Sequence, residues 1–282
     1  MQNKLNHTKI TRQHKGNIEI LNIEHPQASA LISLMGAQLL QYKPKGQAEV
    51  LWLSDDCIWD TVTPLRGGIP ICWPWFGKSK TPAHGIARTA CWSIDNIIDS
   101  PSNVQLTLIL TDSEESLSVW PYKFIITLKL IIGSSLSLKL TTKNISKESL
   151  CYSGAFHSYF DLQNIQHTQL TGLGRNYLNS VDNGESRQLK STLTFNNPLD
   201  YVFTETDSTI AIEEKNRTIL VNSQGNDSYV IWYPGEQGAK ATQDMPDDAY
   251  NKMLCVEPAI FCLPISLKKN ESHSLSMTIT TL

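Results

Sequence analysis

Two neighbouring stretches decide the fold class: Phe124–Leu130 has the sequence FIITLKL, and Ser135–Thr141 has the sequence SLSLKLT. In both, apolar side chains recur at every second position, the period that places them on one face of a β-strand. Glycine, asparagine, aspartate and proline separate stretches of this kind at short intervals along the chain. The two stretches therefore predict β-strands, each with one buried face.

The same alternation recurs in Ile18–Glu24, Val104–Leu110, Thr218–Asn222 and His273–Thr280. Amphipathic helices are scarce, and Ser54–Asp60 is one short candidate with Ser54 as its N-cap. Helices and strands do not alternate as a parallel sheet requires, so the sequence predicts an all-β fold, a large antiparallel β-sandwich. Because no linker or repeat is visible, we expect residues 1–282 to form a single domain, with residues 1–17 as a poorly ordered N-terminal extension.

Composition excludes several classes of function. The 282 residues are 40% hydrophobic and 18% charged, as in ordinary globular proteins. The net charge is −3 and no basic block occurs, which argues against nucleic acid or an anionic membrane surface as a partner. No apolar run is long enough to span a bilayer, and residues 1–17 lack the apolar segment of a signal peptide. We expect a monomer in the cytoplasm.

The cysteines give no sign of a metal or a disulfide framework. There are six of them, and they form neither a CxxC pair nor a zinc-binding spacing. Most lie among apolar residues, so we expect reduced thiols in the core. The sequence predicts no metal and no cofactor.

Chemistry-bearing residues crowd into a few irregular segments. In Pro64–Gly77, Arg66 stands beside two glycines that would allow close approach of a ligand, and its planar guanidinium suits a carboxylate or phosphate. Trp73 and Trp75 could present an apolar face to a sugar ring, although core positions are the more frequent fate of tryptophans. His84 and Arg88 are four residues apart and share a face, as an anion or hydroxyl site requires, but solvent-exposed positions would give the same pattern.

Two later segments contain an isolated polar group among apolar residues. His157 lies within Phe156–Phe160 and is either a hydrogen-bonded core residue or a general acid in a cleft. Glu257 interrupts an apolar stretch, and burial would raise the pKa of its carboxyl group and make it a better base. The alternative for Glu257 is a strand end that points to solvent. The loop Thr204–Ser208, which contains Asp207, could bind sugar hydroxyls or be an ordinary loop.

Five motifs resemble, in this order, those of the aldose 1-epimerase family and most closely its hexose-phosphate branch, the glucose-6-phosphate 1-epimerases. They are Arg66–Pro70, His84–Arg88, Phe156–Phe160, Glu205–Asp207 and Cys255–Pro258. The resemblance implies a galactose mutarotase-like β-supersandwich that interconverts the anomers of a hexose 6-phosphate, with glucose 6-phosphate foremost. It implies His157 as general acid and Glu257 as general base. It also implies His84 and Asp207 as sugar ligands, and Arg66 and Arg88 as phosphate ligands.

Two segments depart from the family pattern and bear on substrate specificity. The family often has an arginine where this chain has Ser208, and the segment Trp232–Gly235 also differs. Three other functions remain open at this stage. They are epimerisation of free aldoses, sugar binding without catalysis, and a metal enzyme that uses His84, His157 and Glu257, although these three lack the spacing typical of a metal site.

Overall fold

The computed structural model describes residues 5–182, 184–189 and 191–282. Their strands, numbered in chain order, form three antiparallel sheets, which we call the N-terminal sheet, the site sheet and the back sheet. The predicted all-β sandwich is confirmed.

The back sheet contains the two stretches that decided the fold class. Its strands are β6 (Ser93–Asp99), β7 (Asn103–Thr111), β8 (Phe124–Gly133), β9 (Leu136–Asn144), β12 (Gln169–Thr171), β16 (Thr209–Glu213), β17 (Thr218–Gln224) and β20 (Ser272–Thr281). In space they follow the order β12-β16-β17-β20-β9-β8-β7-β6. Leu128 pairs with Leu140 across β8 and β9, and both side chains are buried in the core. Each such side chain contributes about 1.5–3 kcal/mol by leaving water.

The site sheet packs its inner face against this core. Its strands are β5 (Ile71–Cys72), β10 (Leu150–Phe156), β11 (Tyr159–Asp161), β13 (Asn176–Asn179), β14 (Glu185–Gln188), β15 (Leu199–Phe203), β18 (Ser228–Tyr233) and β19 (Met253–Leu267). The order is β14-β13-β15-β18-β19-β10-β5, and β11 also pairs with β19. Leu254, Val256 and Ile260 of β19 belong to the main core. Since side chains alternate along a strand, Cys255 and Glu257 lie on the opposite, outer face.

Trp73 and Trp75 also belong to the main core, where they are 0% and 3% exposed. The ring of Trp73 makes edge contacts with Trp120 and Phe124, at centroid distances of 4.9 and 4.6 Å. The alternative that these tryptophans face a sugar is therefore wrong. They are structural because their large apolar surface is needed between the sheets.

The N-terminal sheet corrects one prediction. Its strands are β1 (Lys9–Lys15), β2 (Ile18–His25), β3 (Ala28–Ser33) and β4 (Leu39–Pro44). Residues 9–15, expected in a poorly ordered extension, form an edge strand paired with β2. Nearly every residue of β1 is exposed, so the strand has no apolar alternation that a sequence pattern could reveal. The first four residues of that extension lie outside the described residues.

Helices are short and lie at the periphery. The α-helices of the described residues are α1 (Glu114–Val119) and α2 (Gly235–Lys240), and three 3-10 helices span Ile165–His167, Ser180–Asp182 and Ala249–Asn251. The predicted helix Ser54–Asp60 is absent from the described residues, and the segment is a turn. The hydroxyl of Ser54 accepts from the N–H of Asp56 and donates to the carbonyl of Asp244 instead. Among the described residues, no helix has the length and apolar character needed to cross a membrane.

All six cysteines are free. Cys57, Cys72 and Cys255 are buried, as expected for core thiols. Cys91, Cys151 and Cys262 are exposed, so the expectation of a core position is wrong for these three. Cys151, for example, lies at an outward position of β10, where the apolar neighbours in sequence face the other way.

Candidate active site

The outer face of the site sheet carries two rows of side chains that are aligned by strand pairing. One row runs from Asp200 of β15 through Trp232 of β18 and Cys255 of β19 to Tyr159 of β11. In the next row, Val202 and Val230 lead to Glu257. Polar and ionisable groups thus gather on the face that does not build the core.

Glu257 is a deeply buried carboxyl group of this face. Its side chain is 1% exposed, and its Oε2 atom has no hydrogen-bond partner among the described residues. Burial, together with the nearby charge of Asp200, raises the pKa of the Glu257 carboxyl group well above its ordinary value. A carboxylate with a raised pKa is a stronger base, and such groups concentrate at functional sites. The alternative of a solvent-facing strand end is excluded by this burial.

His157 stands beside Glu257 at the break between β10 and β11. Its Nδ1 atom lies 3.4 Å from Oε1 of Glu257 but lacks hydrogen-bond geometry and has no other described partner. Burial lowers the pKa of His157 well below its ordinary value, and the charges of His84, Arg66 and Arg88 lower it further. An imidazole of low pKa is a strong proton donor once it is protonated. Between these two side chains, both directions favour a proton on Glu257 over one on His157.

Aromatic rings fix the orientation of His157. The Tyr159 ring stacks on it at 4.8 Å with an interplanar angle of 14°. Trp232 and His84 approach its ring with centroid distances of 6.1 and 5.6 Å. Tyr159 and Trp232 therefore hold the imidazole beside Glu257, and Trp232 is the partly exposed aromatic ring of the two.

His84 reaches the site from a tight loop, in which it has a positive φ of 61°. The next residue must be glycine, because a Cβ atom on Gly85 would lie 2.0 Å from the carbonyl oxygen of Trp73. The Nδ1 atom of His84 accepts from the N–H of Gly77 and contacts Sγ of Cys72, both at 3.4 Å. Burial, followed by the charges of Arg88, Arg66 and Lys78, lowers the pKa of His84 to about 4. The ring is therefore neutral at neutral pH.

Arg66 already has an acidic partner. Its Nε atom donates to both carboxylate oxygens of Asp244 at 3.1 and 3.2 Å, and one terminal nitrogen donates to the hydroxyl of Tyr159 at 3.1 Å. The glycines next to it serve packing rather than ligand approach. A Cβ on Gly67 or Gly68 would lie 2.5 or 2.2 Å from a backbone oxygen of a neighbouring segment.

Arg88 is the half-buried cation of the site that lacks an acidic partner among the described residues. One of its terminal nitrogens donates to the carbonyl oxygen of Ala83 at 2.7 Å. Burial lowers the pKa of its guanidinium, and the positive charge of Arg66 acts in the same direction. Arg88 in turn lowers the pKa values of His84 and His157, which places its charge within electrostatic reach of both.

The structure does not bring all six predicted residues together. Asp207 lies exposed in the loop between β15 and β16, where its N–H donates to the carbonyl of Gly172. No described contact joins its side chain to His84, His157 or Glu257. The acid that faces Glu257 is Asp200, whose own pKa is raised by burial.

Sequence reasoning missed Asp200 because a single aspartate in the strand LDYVF is the ordinary polar half of an alternation. It also missed Lys78, an exposed residue close enough to Asp200 to lower its pKa. The position of Lys78 directly after the segment Pro64–Gly77 was the one available signal. Asp244, the partner of Arg66, lies 178 residues away from it in sequence, and no local pattern could connect them.

The set of possible metal ligands in the structure differs from His84, His157 and Glu257, the three residues that the sequence suggested. Among the described residues, His157, Cys255 and Glu257 offer ligand atoms that all lie within 4.8 Å of one another. His84 is not a member of this set, and Cys255 takes its place.

The site combines an imidazole and a carboxyl group side by side on the outer face of a β-sandwich, with arginines near them. This combination is typical of an enzyme that transfers protons. The chain belongs to the aldose 1-epimerase family, whose profile matches residues 19–280. It is therefore an epimerase of the mutarotase type that acts on a sugar.

Relatives and solved structures agree with this placement. The chain is 32% identical over 276 residues to a Salmonella typhimurium protein named "Putative glucose-6-phosphate 1-epimerase", and the match covers 96% of this chain and 92% of the relative. A Cenchrus ciliaris protein of the same name is 36% identical, with 86% and 78% covered. A crystal structure of a Salmonella typhimurium protein described as a "putative mutarotase" superposes on this chain with a TM-score of 0.92 at 31% identity. The match covers 96% of this chain and 93% of that one.

Proposed function

We propose that this protein interconverts the α and β anomers of an aldohexose 6-phosphate, with glucose 6-phosphate as the favoured substrate. The observation that carries this choice is Arg88, a half-buried cation without an acidic partner among the described residues. A buried charge is costly unless it is paired, so such a cation favours an anionic ligand. A phosphate group supplies that anion, and the guanidinium fork matches its oxygens.

The chemistry follows from the neighbouring acid–base pair. Glu257 in its ionised form accepts the proton of the anomeric hydroxyl while protonated His157 donates a proton to the ring oxygen. The bond between C1 and the ring oxygen breaks and leaves an open-chain aldehyde. After rotation about C1–C2, the ring closes on the other face with the two proton transfers reversed. Each positioned group contributes roughly 10²–10⁴-fold to the rate.

The surrounding residues support binding in this scheme. Neutral His84 can form a hydrogen bond with a sugar hydroxyl. Asp200 can accept a hydrogen bond from another hydroxyl of the same sugar. Trp232, which is partly exposed, offers apolar surface to the carbon side of the sugar. The sugar-binding role expected for Asp207 stays a prediction, as do the monomeric state and the cytoplasmic location.

The test is anomer exchange followed by NMR on glucose 6-phosphate, with free glucose and free galactose measured in parallel. We expect acceleration over buffer to be much larger for the phosphorylated sugar. Equal rates on free and phosphorylated sugars would favour a free-aldose epimerase, a reading that the pairing of Arg66 with Asp244 supports. Exchange no faster than in buffer for any of the sugars would favour binding without catalysis.

A further inference from the structure

The acid–base pair lies against a buried thiol that the proposed reaction does not use. Cys255 occupies the position on β19 two residues before Glu257, on the same outer face, and is 0% exposed. We propose that His157, Cys255 and Glu257 form an inhibitory binding site for a thiophilic divalent cation, with Zn²⁺ as the ion that fits best. The inhibitory part rests on the proposed function, whereas the binding part does not.

The geometry of the three ligand atoms is close to that of a tetrahedral zinc site. With ordinary Zn–N, Zn–O and Zn–S bond lengths, neighbouring ligand atoms lie about 3.4 Å apart for nitrogen and oxygen and about 3.6 Å apart when one is sulfur. Nδ1 of His157 and Oε1 of Glu257 are 3.4 Å apart, and all three ligand atoms lie within 4.8 Å of one another. A side-chain shift of about 1 Å closes the remaining gap.

Two polar atoms of the proposed ligand side chains have no protein partner in the described part of the chain. Nδ1 of His157 and Oε2 of Glu257 are buried and have no hydrogen-bond partner among the described residues. An orphaned buried polar atom destabilises the folded protein, and a cation bound to Nδ1 of His157 would give that atom a partner. The side chain of His157 is 12% exposed, so the site meets solvent at this residue.

The positive charges of Arg66 and Arg88 do not oppose the binding of the zinc ion, because the ion replaces protons of the same total charge. Zinc ligands bind in their deprotonated forms, so the Cys255 thiol and the Glu257 carboxyl group each give up a proton when the ion binds. One Zn²⁺ replaces these two protons, which leave to solvent, and the ion is held by one thiolate and one carboxylate. The net charge of the site is unchanged, and Arg66 and Arg88 interact with the same total charge before and after.

The donor set also selects the ion. A thiolate and an imidazole favour zinc and its softer neighbours over Mg²⁺ and Ca²⁺, which prefer oxygen ligands. Occupancy ties down the atoms of both Glu257 and His157 and blocks proton transfer. The ion is therefore an inhibitor that competes with the sugar, and the catalytic cycle runs without it.

The test uses the reduced, metal-free protein with Co²⁺ as a spectroscopic probe and Zn²⁺ as its competitor. We expect one Co²⁺ per chain with a thiolate-to-metal charge-transfer band, displaced by one equivalent of Zn²⁺. Anomer exchange of glucose 6-phosphate, at free Zn²⁺ concentrations fixed by a chelator buffer, should stop at saturating Zn²⁺ and recover on addition of EDTA.

Cys255→Ala should abolish the charge-transfer band and raise the half-inhibitory Zn²⁺ concentration, measured against the variant's own zinc-free rate, by at least ~100-fold. Loss of a mere supporting partner of a metal ligand costs only about 10–100-fold. Cys255→Ser, which keeps the side-chain size, serves if the alanine variant unfolds. Cys151→Ser is the matched control, because it removes an exposed thiol of the neighbouring strand β10. It should leave both the charge-transfer band and the half-inhibitory Zn²⁺ concentration unchanged.

A wild-type protein without the band, or Cys255 variants as sensitive to Zn²⁺ as the wild type, would overturn the inference. So would loss of the band in Cys151→Ser. The two proposals fail separately. A protein that shows the band but no anomer exchange refutes the proposed function alone, and a protein with exchange but no band refutes the zinc site alone.

Discussion

Replacement of Arg88 by alanine separates a phosphate-specific enzyme from one that acts on free sugars. Arg88 is bound to the carbonyl oxygen of Ala83, and the described residues give it no carboxylate, so its charge is free for a ligand. Each hydrogen bond to a charged group contributes about 1.5–3 kcal/mol. Loss of one such bond to phosphate should lower kcat/KM for glucose 6-phosphate by roughly 10–150-fold. Turnover of free glucose, which has no phosphate, should change little.

Arg66 should behave differently because it is part of an ion pair. The side chains of Arg66 and Asp244 are 29% and 10% exposed. Removing one partner of a buried pair costs about 3–5 kcal/mol, and the partial exposure of Arg66 places the expected loss near the lower limit. At about 2–4 °C per kcal/mol, Arg66→Ala should lower Tm by about 6–12 °C. Arg88→Ala breaks no ion pair and should lower Tm far less.

Asp244→Asn is the matched control for this comparison. It removes the negative charge beside Arg66 while it keeps the size of the side chain, so it should lower Tm but preserve the preference for the phosphorylated sugar. The assay is NMR anomer exchange on glucose 6-phosphate and on glucose, combined with thermal unfolding of each variant. An equal fall in kcat/KM on both sugars in Arg88→Ala would refute the assignment of Arg88 to the phosphate.

Three other predictions concern the acid–base pair. Glu257→Gln and His157→Ala should each lower the rate of anomer exchange by roughly 10²–10⁴-fold in folded protein; near-normal turnover in Glu257→Gln would refute its role as base. Folding raises the pKa of the Glu257 carboxyl group, so the stability of the wild type falls as pH rises above the ordinary pKa of 4.5. The Tm of Glu257→Gln relative to that of the wild type should therefore increase from pH 4.5 toward neutrality. A difference in Tm that does not change with pH would contradict the burial argument. Anomer exchange by the purified protein should survive EDTA, and loss that zinc restores would instead indicate a catalytic metal.

The sequence predicted six strands that each have one buried face, and the strands it missed include β1, which has none. β8 and β9 alternate because one side of each packs on the core, and this packing is written directly into their residue types. β1 is exposed on both sides and depends on its pairing with β2, as between Ile10 and Ile23. Backbone pairing with the next strand of a hairpin leaves no signature in the residue types, so the apolar pattern could not reveal β1.

The same distinction holds in the active site. His157 and Glu257 were visible as isolated polar groups within apolar stretches, because burial of such groups needs a reason. Asp200 was invisible, because an alternating strand normally carries a polar residue there. The partners that set the charge of each group, such as Asp244 for Arg66, are brought in by pairing between distant segments.

The placement of Glu257 on β19 also bears on how the chain avoids misfolding. In the native register Glu257 pairs with Val230 of β18, and Val256 points into the core. A slip of one residue would exchange the two faces of the strand. The carboxyl group would then enter the apolar layer between the sheets, far from any water or counter-charge, at a cost of several kcal/mol. The buried carboxyl group of Glu257 thus penalises mispaired forms of the sheet, and Glu257→Gln should weaken this selection against incorrect strand register during folding.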